Sequence, residues 1–282
     1  MQMPKACHQF AMSRPDPVRI DDPDDARIAS YRGIREKDLS GREGFFIAEG
    51  KVVLSVLFAA RRFEVESVLL LENRVAGMQE TLAAMPEGTP VYVASQDIID
   101  RIAGFHLHRG VLALGRRRTG ERFSELVASL PEKALVVALV GISNHDNAGA
   151  IFRNAAAFGA DAVILDETSC DPLYRKAIRV SVGAALKVPF VQGGGADAMI
   201  AALDEAGFSV LALSPAGKAE ITDLAPAARM ALVLGSEGEG LPAGLLAKLR
   251  TVRIGMAPGF DSLNVAAASA VALHHLWHKR AR

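Results

Sequence analysis

Cysteine is scarce in this chain of 282 residues, which carries only Cys7 and Cys170. Two cysteines cannot build a disulfide framework, and no cysteine or histidine cluster has the spacing of a zinc site. The longest apolar run, near residues 134–142, is far shorter than the roughly 20 residues of a membrane span. The first residues also lack the apolar core of a signal peptide. We therefore expect no metal, no membrane span and a cytoplasmic protein.

Net charge is absent as well, because 32 lysines and arginines balance 32 aspartates and glutamates. The balance excludes a protein that finds nucleic acid or anionic membranes through bulk positive charge, but it allows a local basic patch. Half of the residues are hydrophobic and 23% are charged, which is typical of a folded globular protein. The length suggests about two domains at roughly 150 residues each.

Composition shifts along the chain indicate where those domains lie. Residues 1–25 carry four prolines and an acidic run, which is typical of a disordered, solvated tail. Residues 26–117 alternate short apolar strands with helical segments and predict a small α/β domain. Three consecutive arginines then lead into residues 118–133, which fit a linker with one short helix.

Residues 134–282 predict a second α/β domain. Short apolar runs rich in Val, Ile and Leu are separated by helical segments, a pattern that favours a mostly parallel sheet with helices on both faces. The runs occupy residues 135–140, 162–165, 188–191, 209–213, 230–234 and 251–254. Open parallel sheets bind ligands beyond the carboxyl ends of their strands. We therefore look for function in the loops that follow these runs, three of which have unusual composition.

The first unusual segment, residues 141–159, reads GISNHDNAGAIFRNAAAFG. Capping of the following helix by Asn144, Asp146 or Asn147, with Arg153 in solvent, would explain it without any chemistry. Against that explanation, Arg153 and Asn154 lie among apolar helical residues, where polar groups need a partner.

The second segment, residues 231–242, reads ALVLGSEGEGLP and places three glycines directly after a predicted buried strand. Glycines there let a ligand approach the backbone closely. The order of the glycines matches neither the dinucleotide fingerprint nor the phosphate-binding P-loop. Ser236 and Glu237 place a hydroxyl and a carboxylate at the end of the strand, and a simple turn is the alternative.

The third segment, residues 254–264, reads IGMAPGFDSLN and opens the last predicted helix, at residues 265–279. Ser262 and Asn264 flank Leu263, and Asn264 is well placed as the N-cap. A loop with a cap is the alternative here. The helix is rich in alanine, so another backbone can pack close to it.

Taken in order, NAGAIFRN at 147–154, LGSEGEGL at 234–241 and IGM…DSLNV at 254–265 resemble the SpoU branch of the SPOUT RNA methyltransferases, which includes the TrmH family. FIAEG at 46–50 and RGVLAL at 109–114 resemble the small substrate-binding domain that precedes the catalytic domain in many members. The chain departs from the family pattern at Asn144, His145, Gly255 and Ala266, which leaves the subfamily open.

The resemblance implies properties that the residues alone do not show. It implies a deep trefoil knot in the C-terminal sheet and S-adenosylmethionine held by the knot loops. It implies a homodimer with the last helix at the interface. The implied product is a 2′-O-methylated ribose, with ribosomal RNA favoured and transfer RNA as the alternative.

The resemblance also assigns roles to residues. The family gives the role of base to Arg153, but a guanidinium has only donors and a pKa above about 12. We therefore expect Arg153 to clamp RNA phosphate and the developing alkoxide. Asn147 would position the ribose or Arg153, Glu237 would orient donors, and Ser262 and Asn264 would complete the hydrogen-bonding ring. The expected cofactor residues, acting mainly through their backbone, are Ser214, Leu234, Gly235, Ser236, Gly240, Ile254, Met256, Ser262 and Leu263.

Contacts with RNA phosphate are expected from basic side chains. The candidates are Arg109, Arg116, Arg117, Arg118, Arg175, Lys176 and Arg179. For the arginine triplet the alternative is a solvated linker. Two other functions stay open: a catalytically silent RNA-binding module, against which the intact set of polar residues argues, and a nucleotide-cofactor oxidoreductase, which the missing GxGxxG motif disfavours.

Overall fold

The computed structural model describes residues 16–33, 44–118, 120–259 and 262–279. Its N-terminal part is built on a five-stranded sheet. The strands are β1 (Val18–Ile20), β2 (Phe45–Glu49), β3 (Glu64–Leu71), β4 (Val91–Ala94) and β5 (Val111–Arg116). Their order in the sheet is β1-β4-β3-β5-β2, with β5 antiparallel to both of its neighbours and the other pairs parallel. The helices are α1 (Lys51–Ala60), α2 (Gln79–Ala83) and α3 (Gln96–Ala103), with 3-10 turns at Ala26–Tyr31, Glu72–Arg74 and Ala76–Met78.

Residues 16–25 correct the expectation of a disordered tail up to residue 25, whereas residues 1–15 of that tail lie outside the described residues. Strand β1 pairs with β4 at the edge of the sheet, and Ile20 is buried. Part of the acidic run has a structural role, because the Asp25 side chain caps the 3-10 helix Ala26–Tyr31. The Tyr31 hydroxyl donates to the Ser67 carbonyl at 2.9 Å and anchors this segment to β3. Composition indicated disorder here because a three-residue strand gives almost no periodic signal.

The C-terminal part is built on a seven-stranded sheet in which every pair is parallel. The strands are β6 (Ala134–Leu139), β7 (Ala162–Leu165), β8 (Phe190–Gln192), β9 (Ser209–Leu213), β10 (Ala219–Glu220), β11 (Arg229–Leu234) and β12 (Arg250–Arg253). Their order is β10-β12-β9-β11-β6-β7-β8. The helices are α4 (Phe123–Ser129), α5 (His145–Ala157), α6 (Arg175–Val180), α7 (Ala184–Lys187), α8 (Ala196–Glu205), α9 (Ala243–Lys248) and α10 (Val265–Lys279). The expected α/β architecture with a parallel sheet is confirmed, although the two-residue β10 was not predicted and β8 begins two residues later than expected.

Strand β6 shows why both faces of this sheet are covered. All six of its residues are buried. Because side chains alternate along a strand, Leu135, Val137 and Leu139 join the core that contains α5 and α10. Ala134, Val136 and Ala138 point the other way, into a second core that contains α4, α8 and α9. The helix within the expected linker is therefore part of a core rather than a free connection.

The two sheets are joined by direct packing. The core on the α5 side continues into the N-terminal part, where the rings of Phe63 and Phe190 lie 6.4 Å apart. The Arg62 guanidinium donates to the Val188 carbonyl at 2.6 Å and lies over both of those rings. None of the helices in the described ranges has the length and apolar character that a bilayer crossing requires. The trefoil knot stays a prediction.

Candidate active site

A cavity of about 280 Å³ opens at the carboxyl edge of the parallel sheet. Its walls are the loops that follow β9, β11 and β12, together with the start of α10. All nine predicted cofactor residues line it: Ser214, Leu234, Gly235, Ser236, Gly240, Ile254, Met256, Ser262 and Leu263. Carboxyl ends of parallel strands meet at one edge, which explains why segments so far apart in the sequence converge there. Their role in binding stays a prediction.

The loop after β11 can present its backbone to a ligand only because it is rich in glycine. A Cβ on Gly235 would lie 2.3 Å from the Gly240 carbonyl carbon, so no larger residue fits. Gly240 has a positive φ of 71°, and its N–H donates to the Ser236 carbonyl at 3.2 Å. This tight turn forms a cradle at one wall of the cavity. The cavity is also lined by apolar side chains and by the polar side chains of Ser214, Ser236, Glu237, Glu239, Ser262 and Asn264. A cofactor that combines polar and apolar parts fits such a cradle.

Three predicted catalytic residues form one hydrogen-bonded cluster at the rim of this cavity. The buried Asn147 amide donates to Glu237 Oε1 at 2.9 Å. Asn264 Nδ2 in turn donates to Asn147 Oδ1 at 3.0 Å, while Asn264 Oδ1 accepts from the first backbone N–H groups of α10. Asn264 therefore caps α10 as expected and also fixes the side chain of Asn147. Ser262 lines the cavity beside them.

Glu237 is held in its ionised form. Burial of its carboxylate raises the pKa, but hydrogen bonds from the Asn147 amide and from nearby backbone N–H groups lower it by more. The result is a pKa below the ordinary value of a glutamate. One of those backbone donors is the N–H of Asn144, 3.2 Å from Glu237 Oε1. Asn144 also caps α5 through its own side chain, so Glu237 and the start of α5 are fixed together.

Arg153 and Asn154 follow on α5, and the structure gives them different surroundings. Asn154 donates to the Ala266 carbonyl at 2.8 Å and to the Ser269 hydroxyl at 2.9 Å, so it joins α5 to α10. This is the partner that a polar group on an apolar helix was expected to need. Arg153 is exposed, and no hydrogen bond or ion pair joins it to any other described residue. Its exposure matches the alternative that places Arg153 in solvent, and its role toward a substrate stays a prediction.

The structure adds a buried carboxylate that the sequence did not single out. Asp166 follows β7 and accepts from the hydroxyls of Thr168 and Ser169, each at 2.6 Å. It also accepts from the backbone N–H of Gly141 at 3.0 Å, where β6 leaves the sheet with a φ of 67°. Asp166 thus fixes the loop that leads to Asn144 and Asn147. A lone aspartate after an apolar run gives no sequence signal for such a role.

Four of the predicted RNA-contact residues are engaged in ion pairs. Arg175 Nη1 lies 3.0 Å from the buried Glu49 of β2 and so joins the two halves. The remaining pairs are Arg117 with Asp171, Arg116 with Glu66 at 2.6 Å, and Lys176 with Asp146 at 2.7 Å. For Arg117 and Arg175, whose side chains are only 21% exposed, these contacts favour a structural role. Arg109, Arg118 and Arg179 are exposed.

Comparison with known proteins places the chain in a family. Residues 134–274 match the profile of the SpoU rRNA Methylase family. An uncharacterized tRNA/rRNA methyltransferase of Mycobacterium bovis is 41% identical over 263 residues, which are 90% of this chain and 89% of the relative.

Solved structures share the architecture. An AdoMet-bound rRNA methyltransferase from Sinorhizobium meliloti superposes with a TM-score of 0.77 at 23% identity, over 94% of this chain and 98% of its own. An RNA 2′-O ribose methyltransferase superposes with a TM-score of 0.75 at 25% identity, over 93% and 99%. Within the described ranges, no group of three or more His, Cys, Asp and Glu residues is arranged to hold a metal ion. The three converging motifs thus lie on a framework shared with known RNA methyltransferases, and the chain belongs to the SpoU rRNA methylase family.

Proposed function

We propose that this protein transfers a methyl group from S-adenosylmethionine to the 2′-hydroxyl of a ribose in structured RNA, with ribosomal RNA favoured over transfer RNA. The observation that carries the proposal is the Asn147–Glu237–Asn264 cluster at the rim of the glycine-lined cavity. Family membership supports RNA methylation, and the similarity to an RNA 2′-O ribose methyltransferase supports the ribose as the acceptor. Residues 26–117 would form the domain that recognises the substrate, and the cytoplasm, where these RNAs are modified, would be its place of action.

The chain's residues divide the work between holding and charge stabilisation. S-adenosylmethionine, when bound, supplies an electrophilic methyl group on a sulfonium. The cradle around Gly235 and Gly240 would hold it through backbone groups. The exposed Arg153 would stabilise negative charge on the ribose oxygen as the hydroxyl passes its proton to solvent water, and it would bind the adjacent phosphate. Glu237 is a weak proton acceptor because its pKa is lowered, so we assign it to orienting Asn147 and, through it, Asn264.

Labelled S-adenosylmethionine and unmodified ribosomal and transfer RNA transcripts test this function. A 2′-O-methyl group blocks alkaline cleavage at its own phosphodiester, so label that stays in alkali-resistant dinucleotides identifies ribose methylation. Arg153→Ala should lower methyl transfer on the order of 10²–10³-fold, the usual cost of one positioned donor. Arg153→Lys keeps the charge but loses the planar fork, and should recover only part of the rate.

Calorimetry with S-adenosylmethionine completes the test. Because Arg153 does not line the cavity, Arg153→Ala should bind the cofactor like the wild type. Loss of cofactor binding in this variant would show that Arg153 contributes to the cofactor site, contrary to our assignment. RNA binding by the wild type without cofactor binding would favour the silent RNA-binding module instead.

A homodimer through the catalytic half is part of the proposal. Helix α10 exposes Trp277 and Val271, two large apolar side chains, and Leu263 is exposed just before the helix. Apolar surface of this kind is usual at contacts between subunits. Sedimentation equilibrium should give twice the mass of one chain. Trp277→Glu should shift the protein toward the monomer, and a wild type that is monomeric at micromolar concentration would refute this part.

A further inference from the structure

A second concavity, of about 580 Å³, lies between the two halves of the molecule. It is formed by the start of α1, the 3-10 segments after β3, the loop before β5, and the end of α6. None of its lining residues lines the cavity at the sheet edge. We call it the basic cleft, because four of its lining side chains are cations: Lys51, Arg74, Arg109 and Arg179.

The charges of the basic cleft are not neutralised by the protein. All four cations are exposed, and none forms an ion pair with another described residue. Lys51 Nζ donates to the Gly77 carbonyl at 2.9 Å and Arg74 donates to the His108 carbonyl at 3.3 Å, but carbonyls carry no net charge. The one carboxylate of the lining, Glu49, is already paired with Arg175 outside it.

Two of these cations also lie at the unfavourable end of a helix. The N-terminus of α1 carries partial positive charge and has no acidic residue in its first turn. The N-cap residue before it is Gly50, which has no side chain to cap the helix. Lys51 is nevertheless its first residue. Arg109 Nη1 lies 3.3 Å from the position that a Cβ on Gly50 would take, so Arg109 lies across the same helix end. Like charges gathered in this way are stabilised when an anion binds between them.

The rim of the cleft is apolar and partly strained. Val52 and Val182 are exposed by 59% and 37%. Val182 is a β-branched residue with a φ of 54°, a conformation that such residues rarely adopt outside functional or strained sites. Apolar surface beside cations suits a ligand that combines phosphates with sugar and base.

We propose that the basic cleft binds the phosphate backbone of the RNA substrate, in addition to the contacts made at the reacting ribose. The inference rests on the proposed function for the identity of the polyanion. The cleft is linked to the chemistry through α6, which carries Arg179 and packs closely on α5, the helix of Asn147 and Arg153. RNA held here would therefore be positioned on an element in direct contact with the catalytic helix.

Salt dependence of RNA binding tests the proposal. The dissociation constant for a ribosomal RNA transcript is measured at KCl concentrations from about 50 to about 300 mM, because salt weakens contacts with phosphate over this range. The double variant Arg74→Gln/Arg179→Gln removes two cleft charges. The logarithm of the association constant falls linearly with the logarithm of the salt concentration, and each lost phosphate contact should reduce the magnitude of this slope by about 1. The matched control Arg101→Gln/Arg250→Gln removes two exposed arginines outside the cleft, and its slope should equal that of the wild type.

Each outcome separates the cleft from the proposed function. If the slope is unchanged in the cleft variant, or if its magnitude falls equally in the control, the proposal that the basic cleft binds RNA is overturned. A lowered slope in the cleft variant alone supports it, provided that calorimetry finds the cofactor affinity unchanged. If the wild type binds RNA but no RNA becomes methylated, the proposed function fails, while the slopes still decide the role of the cleft.

Discussion

Gly149 lies at a close contact between the catalytic helix α5 and its neighbour α6. A Cβ at this position would lie 2.6 Å from the Ala177 carbonyl oxygen and 3.0 Å from Val180 Cβ. To bring the first contact to 3.0 Å, the two helices must separate by about 0.4 Å. Such overpacking against backbone costs about 1–3 kcal/mol. Alanine in place of glycine within a helix gains about 1 kcal/mol, so for Gly149→Ala we expect a net loss of up to about 2 kcal/mol.

Gly244 in α9 provides the matched control, because a Cβ there would have open space around it. Gly244→Ala should be neutral or stabilise the fold by up to about 1 kcal/mol. Guanidinium unfolding of both variants measures the difference. Methyl transfer by Gly149→Ala should also fall by about tenfold or more, because a small displacement of α5 moves Asn147 and Arg153. A Gly149→Ala variant as stable and active as Gly244→Ala would refute the close approach of α5 and α6.

Two further substitutions test the site and the contact between the halves. Asn147→Ala removes a donor that lowers the pKa of Glu237, so this pKa should rise toward its ordinary value of 4.5. Ionised Glu237 stabilises the fold, and this contribution is lost as pH falls below about 4.5, so it should be smaller in the variant. Carboxyl NMR titration measures the pKa of Glu237. An unchanged value contradicts the hydrogen bond from Asn147 to Glu237. Glu49→Gln should cost about 2 kcal/mol because a neutral amide replaces the buried carboxylate that accepts from Arg175. Glu66→Gln, at a surface ion pair, should change stability by less than about 0.5 kcal/mol in the same denaturation assay.

Much of the C-terminal sheet could be predicted from the sequence, because a parallel strand that is buried on both faces consists of consecutive apolar residues. Strand β6 is such a run, and its alternate residues enter two different cores. The convergence of the three unusual segments also followed from the sheet, since each of them comes directly after a parallel strand or begins a helix at the same edge. The sequence therefore contained the framework and most of the residues that line the cavity.

Very short strands, and contacts between residues far apart in the chain, could not be predicted from the sequence. Strand β10 has two residues and is held by pairing with β12, so no periodic signal marks it. Strand β1 has only three residues and lies among prolines and aspartates. The role of Asp166 depends on the hydrogen bond that it accepts from the backbone N–H of Gly141, 25 residues earlier in the chain. Such contacts depend on tertiary geometry, and composition cannot distinguish them from an ordinary polar loop.

The arginines illustrate the same distinction for charge. By sequence, Arg109, Arg175 and Arg179 are equivalent candidates for RNA contact, and the balanced total of 32 basic and 32 acidic residues gives no ground for choosing among them. The structure separates them by pairing: Arg175 neutralises a buried glutamate between the halves, whereas Arg109 and Arg179 contribute charge to the basic cleft without a carboxylate partner among the described residues. A protein with zero net charge can therefore present a concentrated positive site, because most of the acidic residues that balance the charge lie elsewhere, many of them paired with other cations. Substitution of Arg175 should thus reduce stability with little effect on the salt slope, and substitution of Arg179 should do the reverse.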